Sequence, residues 1–86
     1  MSAAWVSCSR NSWTRIYQGP SPFGFVYVWS KTPASVVSFR EYSSSPPFYW
    51  ETTDFTVQMK STLIVAPTPY VEVWINPKAD GIFRVK

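Results

Sequence analysis

The sequence predicts an all-β fold, a small antiparallel β-sandwich or barrel of about seven to eight short strands. In several segments apolar side chains recur at every second position, which is the period of a strand that packs one face against a core. Eight prolines and three glycines interrupt these segments. No segment shows the 3.6-residue period of an amphipathic helix, so we expect no helix longer than about two turns.

The first half of the chain contains four predicted strands, at 3–9, 13–18, 23–29 and 35–42. We expect a turn at 10–12 to join the first two as a hairpin. Pro20 and Pro22 are expected to end the second strand, because proline lacks a donor for pairing. In the third strand an aromatic residue occupies every second position from Phe23 to Trp29, with apolar residues or Gly24 between. This pattern predicts burial on both faces, or one face in a subunit interface.

The second half contains four more predicted strands, at 48–53, 55–66, 70–76 and 82–86. The strand 55–66 alternates at first and then becomes apolar on both faces, so we expect one long strand with a bend. Turns are predicted at 67–69 and 77–81, where proline, aspartate and glycine concentrate. The predicted core residues alternate with polar neighbours and are Phe39, Phe55, Val57, Met59, Val71, Val73 and Ile75.

The length of 86 residues predicts one all-β domain, 1–86, with a thin stability margin. Cys8 is the only cysteine, so no internal disulfide forms, and histidine is absent, which argues against a metal site. We expect no cofactor. Aromatic residues make up 19% of the chain, more than a core of this size can hide. We therefore expect a homo-oligomer in which part of this aromatic surface is buried.

The net charge is +3, and the eight basic residues are spread along the chain without a run. This charge permits contact with nucleic acid or acidic glycans but does not single either out. We expect no export signal in 1–10 and no transmembrane segment, since no stretch approaches about 18 apolar residues. The cellular location stays open.

The residue inventory argues against an enzyme. Serine hydrolysis in its usual form needs a histidine base, and Cys8 has no histidine to activate it. Glu51 and Asp54 are three positions apart and face opposite ways on a continuous strand, so they do not form a catalytic carboxylate pair. We expect a non-enzymatic protein.

Five residues are the candidate ligand-binding site: Trp13, Arg15, Tyr17, Tyr49 and Trp50. The first three are expected to share one face of the second strand, and Arg15 indicates that this face is wet. Flat aromatic rings beside short polar groups are typical of sugar binding. The leading hypothesis is therefore a lectin-like carbohydrate-binding module that works as a homo-oligomer. The alternatives are a structural or assembly protein of a phage or virus particle and a single-stranded nucleic-acid-binding β-barrel.

Overall fold

A computed structural model describes residues 4–86 and shows eight strands in two four-stranded antiparallel sheets. The predicted all-β fold class is confirmed, and the described residues contain no helix. The strands are β1 (Val6–Cys8), β2 (Thr14–Ser21), β3 (Phe25–Ser30), β4 (Ser35–Ser43), β5 (Tyr49–Val57), β6 (Lys60–Ile64), β7 (Thr68–Pro77) and β8 (Gly81–Val85). Position 3, at the start of the first predicted strand, lies outside the described residues.

The strand order is β1-β8-β3-β6 in sheet A and β2-β7-β4-β5 in sheet B. The chain crosses between the sheets at most of its connections, and β4 and β5 are the one pair of consecutive strands within 4–86 that hydrogen-bond to each other. The predicted hairpin of the first two strands is wrong. β1 pairs with β8 and β2 pairs with β7, so the turn between β1 and β2 connects two different sheets.

Both sheets contribute to one apolar core, which makes the architecture a β-sandwich. The predicted core is confirmed at Phe39, Val57, Val71, Val73 and Ile75, each of which is fully buried. Phe55 is partly buried and packs against this core, with its ring 5.5 Å from that of Phe39. The prediction is wrong for Met59, which lies in the loop between β5 and β6 and is 60% exposed.

The single strand predicted for 55–66 is two strands in different sheets, β5 ending at Val57 and β6 beginning at Lys60. Residues 58 and 59 carry the chain from sheet B to sheet A. Val57 and Leu63 both point into the core between the sheets. They are six positions apart, so the two-residue alternation continues without a phase change through the crossing. The sequence pattern therefore gives no sign of the break.

β2 runs through Pro20 to Ser21, beyond the end predicted at residue 18. β2 is an edge strand of sheet B, where a residue without an N–H donor is tolerated because one side of the strand has no partner. Its partner β7 begins correspondingly early, at Thr68, so the turn predicted at 67–69 is wrong for its last two residues. Ser21 pairs with Thr68, and the Ser21 hydroxyl donates to the Ala66 carbonyl oxygen at 2.7 Å.

The aromatic strand β3 is buried on one face only. Val26 and Val28 point into the core, whereas Tyr27 and Trp29 are half-buried on the outer face of sheet A. Phe23 precedes the strand and is 81% exposed. The prediction that both faces of this strand are buried within one chain is therefore wrong. The alternative, a subunit interface at the outer face, stays a prediction.

Candidate functional site

The outer face of sheet B brings together residues from all four of its strands. Cross-strand pairing forms two adjacent rows. In the order β2, β7, β4, β5 the rows are Arg15, Trp74, Arg40, Glu51 and Gln18, Glu72, Tyr42, Tyr49. Aromatic rings, guanidinium groups and carboxylates therefore alternate on one continuous surface, and three of the five predicted site residues, Trp13, Arg15 and Tyr49, lie on it.

Tyr17 does not share the face of Arg15, and that prediction is wrong. Arg15 pairs with Trp74 and Tyr17 pairs with Val73, so two steps along β2 match one step along β7. This β-bulge turns Tyr17 to the inner face, where its ring packs against the core. Its hydroxyl donates to the Pro20 carbonyl oxygen at 2.5 Å, and burial raises its pKa.

Trp50 also points inward. It pairs with Glu41 across β4 and β5, and Glu41 is only 3% exposed. The two side chains line a narrow crevice with Ala66 and Val71, at one end of the space between the sheets. The side chain of Trp50 therefore lies on the opposite face of sheet B from those of Trp13, Arg15 and Tyr49.

A cleft of about 330 Å³ opens on the outer face of sheet B. We call it the sheet B cleft, and its lining residues are Trp13, Arg40, Tyr42, Glu72 and Trp74. Its volume lies at the lower end of the range for small-ligand sites, about 300–1,000 Å³. Tyr49 extends the aromatic surface beyond the cleft. Its ring centre lies 5.0 Å from that of Tyr42, and the two residues are 42% and 41% exposed.

Glu72 is the best-connected acceptor of the cleft. It accepts hydrogen bonds from the Tyr70 hydroxyl at 2.6 Å and from the Trp74 indole N–H at 3.1 Å, and Arg15 Nη1 lies 3.8 Å away. The Tyr70 bond, followed by the Trp74 bond, holds the pKa of Glu72 below its usual range and raises the pKa of Tyr70. Glu72 is therefore a carboxylate at neutral pH, held in position by two hydrogen-bond donors and by the nearby Arg15 guanidinium.

A second carboxylate, Glu51, borders the cleft at its β5 side. Arg40 Nε donates to Glu51 at 3.1 Å, and the Tyr49 hydroxyl donates to the same oxygen. These bonds, led by that from Tyr49, hold the pKa of Glu51 low. The Arg40 guanidinium also lies 4.1 Å from the ring centre of Trp13, a cation–π contact that orients both side chains.

The charges of the site balance. Arg15 and Arg40 supply two positive charges, and Glu51 and Glu72 supply two negative ones. The surface thus offers hydrogen-bond donors, acceptors and flat rings without a net charge. Such a set suits a neutral ligand with many hydroxyl groups.

Burial raises the pKa of the Cys8 thiol to about 11, so the thiol is protonated at neutral pH and is a poor nucleophile. Within residues 4–86 no three potential metal ligands of the His, Cys, Asp or Glu type cluster together. The part of the chain that the structure describes also has no helix that is long and apolar enough to cross a membrane.

Four of the cleft residues were not among the predicted site residues: Arg40, Tyr42, Glu72 and Trp74. Alternation could have indicated them, because Glu72 and Trp74 lie between the buried Val71, Val73 and Ile75. What sequence patterns do not give is that β7 and β4 lie side by side in the middle of sheet B.

The chain matches no model of a known protein family and no curated protein.

Proposed function

We propose that this protein is a non-enzymatic, lectin-like module that binds a neutral carbohydrate in the sheet B cleft. The observation that carries the proposal is the arrangement around Glu72, a fixed carboxylate that accepts from the indole of Trp74 in a cleft that Trp13 also lines. A sugar presents an apolar face that stacks on a flat ring and hydroxyl groups at its edge. Glu72 accepts hydrogen bonds from such hydroxyls, and Arg15 and Arg40 donate to them.

Charge balance favours a neutral sugar over an acidic one. Both guanidinium groups already face carboxylates, at 3.8 Å for Arg15 and 3.1 Å for Arg40. An anionic ligand would have to displace these carboxylates or approach them against repulsion. A neutral ligand joins the existing hydrogen bonds through its hydroxyl groups, and its affinity should depend little on salt.

A glycan array followed by titration of tryptophan fluorescence tests this proposal. We expect Glu72→Gln to weaken binding of the selected glycan about tenfold or more, because a charged acceptor is replaced by a neutral one. Asp54→Asn is the matched control, since Asp54 is an exposed carboxylate on β5 that pairs with Lys78 away from the cleft. Failure of every neutral glycan to bind, or equal loss in both variants, would rule the proposal out.

We further propose that the module works as a homo-oligomer. Phe23 and Ile64 are 81% and 65% exposed and lie at the same end of sheet A, next to Phe25. β6, which carries Ile64, is an edge strand with one unpaired side. A second copy that packs against this end would bury the apolar side chains and cover the edge. The same feature supports the second candidate, a structural protein that assembles into a phage or virus particle.

A further inference from the structure

The outer face of sheet A carries a row of alternating cations and aromatic rings. Trp29 on β3 lies between Lys60 on β6 and Arg84 on β8, its partners across the two neighbouring strands. The Arg84 guanidinium in turn lies 4.8 Å from the ring centre of Trp5 and 4.9 Å from that of Trp29. The row thus runs across sheet A from the β6 edge to the residue just before β1, in the order Lys60, Trp29, Arg84 and Trp5.

Two further cations belong to this surface. Lys86 follows β8, exchanges two backbone hydrogen bonds with Tyr27, and places its ammonium 5.5 Å from the ring centre of Trp29. Lys31 follows β3, and its ammonium lies 5.0 Å from the ring centre of Trp5. Lys60 also lies 4.2 Å from the ring centre of Tyr27. The basic aromatic face, as we call it, consists of Trp5, Tyr27, Trp29, Lys31, Lys60, Arg84 and Lys86.

Among residues 4–86 one acidic side chain, Asp80, lies near the edge of the basic aromatic face, where it lines a hollow with Lys31 but forms no ion pair with it. Of the five acidic side chains, Glu51 and Glu72 lie on the outer face of sheet B and Glu41 points inward. Asp54 pairs with Lys78, and Asp80, in the turn before β8, accepts from the Arg10 backbone N–H. Within residues 4–86 none of the four cations on the face forms an ion pair, whereas Arg15 and Arg40 on the outer face of sheet B both do.

Two side-chain donors beneath the same face have no hydrogen-bond partner. The indole N–H of Trp29 and Nε of Arg84 are buried and have no acceptor among residues 4–86. Each such donor loses its bonds to water without a replacement, which is costly. On the exposed side of these rings, the four cations form no ion pair within residues 4–86, so the surface offers positive charge without a negatively charged partner.

We propose that the basic aromatic face binds single-stranded nucleic acid, with bases stacked on Trp5, Tyr27 and Trp29 and phosphates against the four cations. Single-strand binding surfaces combine these two features, since every base has a flat face and every linkage a charge. A duplex hides its bases inside the helix. A sulfated glycan offers the same charges, but only the narrow apolar C–H face of a sugar to each ring, whereas every base offers a flat π face. The three rings beside the cations therefore favour the nucleic acid.

The face is accessible to such a ligand. Trp5 lies outside the strands and is 37% exposed. The lysines that now cover the rings have flexible stems, so a phosphate can draw an ammonium aside and leave the ring to a base. The site is on the opposite side of the sandwich from the sheet B cleft, and the proposal does not rest on sugar binding.

Fluorescence anisotropy of a labelled oligothymidine, at about 50 and 200 mM salt, tests the proposal. We expect Lys60→Gln to weaken binding several-fold at the lower salt and to reduce the slope of log affinity against log salt by about 0.7. Lys78→Gln removes the same charge from a residue paired with Asp54 on sheet B, and it should change the affinity less than about twofold.

A separate variant tests whether bases stack on the aromatic rings. Trp5→Ala should weaken binding about fivefold or more, since one stacked base is lost, and circular dichroism should show an unchanged fold. Glu72→Gln, in the sheet B cleft, should leave oligothymidine binding as it is, so this result and the sugar result are read separately.

Four outcomes would overturn the proposal. They are no anisotropy change with oligothymidine, equal affinity for a duplex of the same length, binding of a heparin fragment but not of oligothymidine, and equal loss in Lys60→Gln and Lys78→Gln. The absence of an anisotropy change would mean that the cations only cover the rings. Equal affinity for a duplex, or equal loss in the two lysine variants, would mean that charge alone attracts the ligand. Binding of the heparin fragment alone would mean that a sulfated glycan is the partner.

Discussion

Glu41 on β4 and Trp50 on β5 face each other as cross-strand partners. Both carboxyl oxygens of Glu41 and the indole N–H of Trp50 are buried and have no hydrogen-bond partner among residues 4–86. Burial raises the pKa of Glu41 from 4.5 to about 7, and the nearby indole of Trp50 opposes this rise only in part. The buried carboxyl therefore titrates near neutral pH, far above an exposed one.

We predict that the protein loses stability as the pH rises from about 5 to about 7.5. A carboxyl with a higher pKa in the folded state binds more protons when folded, so the free energy of unfolding is greatest below the unfolded pKa and falls through this interval. The shift of Glu41 from 4.5 to about 7 corresponds to on the order of 3 kcal/mol. Urea unfolding at a series of pH values measures it.

The interval is favourable for this test because the chain contains no histidine, and Glu51 and Glu72, with lowered pKa values, are already ionised. Glu41→Gln is the control variant and should give a nearly flat stability profile between about pH 5 and 7.5. A wild-type profile as flat as that of Glu41→Gln would contradict the prediction.

We predict opposite results for the two candidate-site tryptophans. Trp13 lies on the outer face in contact with Arg40, so Trp13→Ala should weaken sugar binding and cost only about 1 kcal/mol of stability. Trp50 faces inward beside Glu41, so Trp50→Ala should cost about 3 kcal/mol through lost packing. Thermal unfolding and glycan titration of both variants check this. A well-folded Trp50→Ala protein with abolished binding would reverse the assignment.

We predict that Gly81→Ala destabilises the protein by about 1–3 kcal/mol. A Cβ at Gly81 would lie 2.6 and 2.8 Å from ring atoms of Phe83, and that ring is fully buried and cannot move aside. The control is Phe83→Leu. If the clash is the cause, adding Gly81→Ala to this variant should cost less than adding it to the wild type, as a double-mutant cycle of chemical denaturation would show.

We predict that Phe23→Ser shifts the proposed oligomer towards the monomer mass of 9.9 kDa, since Phe23 is 81% exposed at the apolar end of sheet A. Light scattering at high micromolar concentration measures the mass. Phe48→Ser is the matched control, because Phe48 is also an exposed phenylalanine, at 57%, but lies away from sheet A. It directly precedes β5, a strand of sheet B. A wild-type protein that is already monomeric would refute the prediction.

The sequence determined the fold class, because alternation along a strand is a local property. Val71, Val73 and Ile75 alternate with polar and aromatic neighbours, and that pattern alone places them in the core. Alternation together with the charge of Arg15 also predicted that Trp13 and Arg15 share a wet face, although the same pattern placed Tyr17 there wrongly. Where the pattern of one segment is regular, the identity of its pairing partner does not matter to the prediction.

Only the tertiary structure decided what lies across from each strand. The bulge that turns Tyr17 inward is defined by the pairing of β2 with β7. The segment 55–66 is divided into β5 and β6 because its two halves join different sheets. Pairing between strands far apart in sequence also assembled the sheet B cleft and the basic aromatic face. Alternation says which side chains share a face of one strand, whereas neighbours across strands depend on non-local hydrogen bonding that a single segment does not encode.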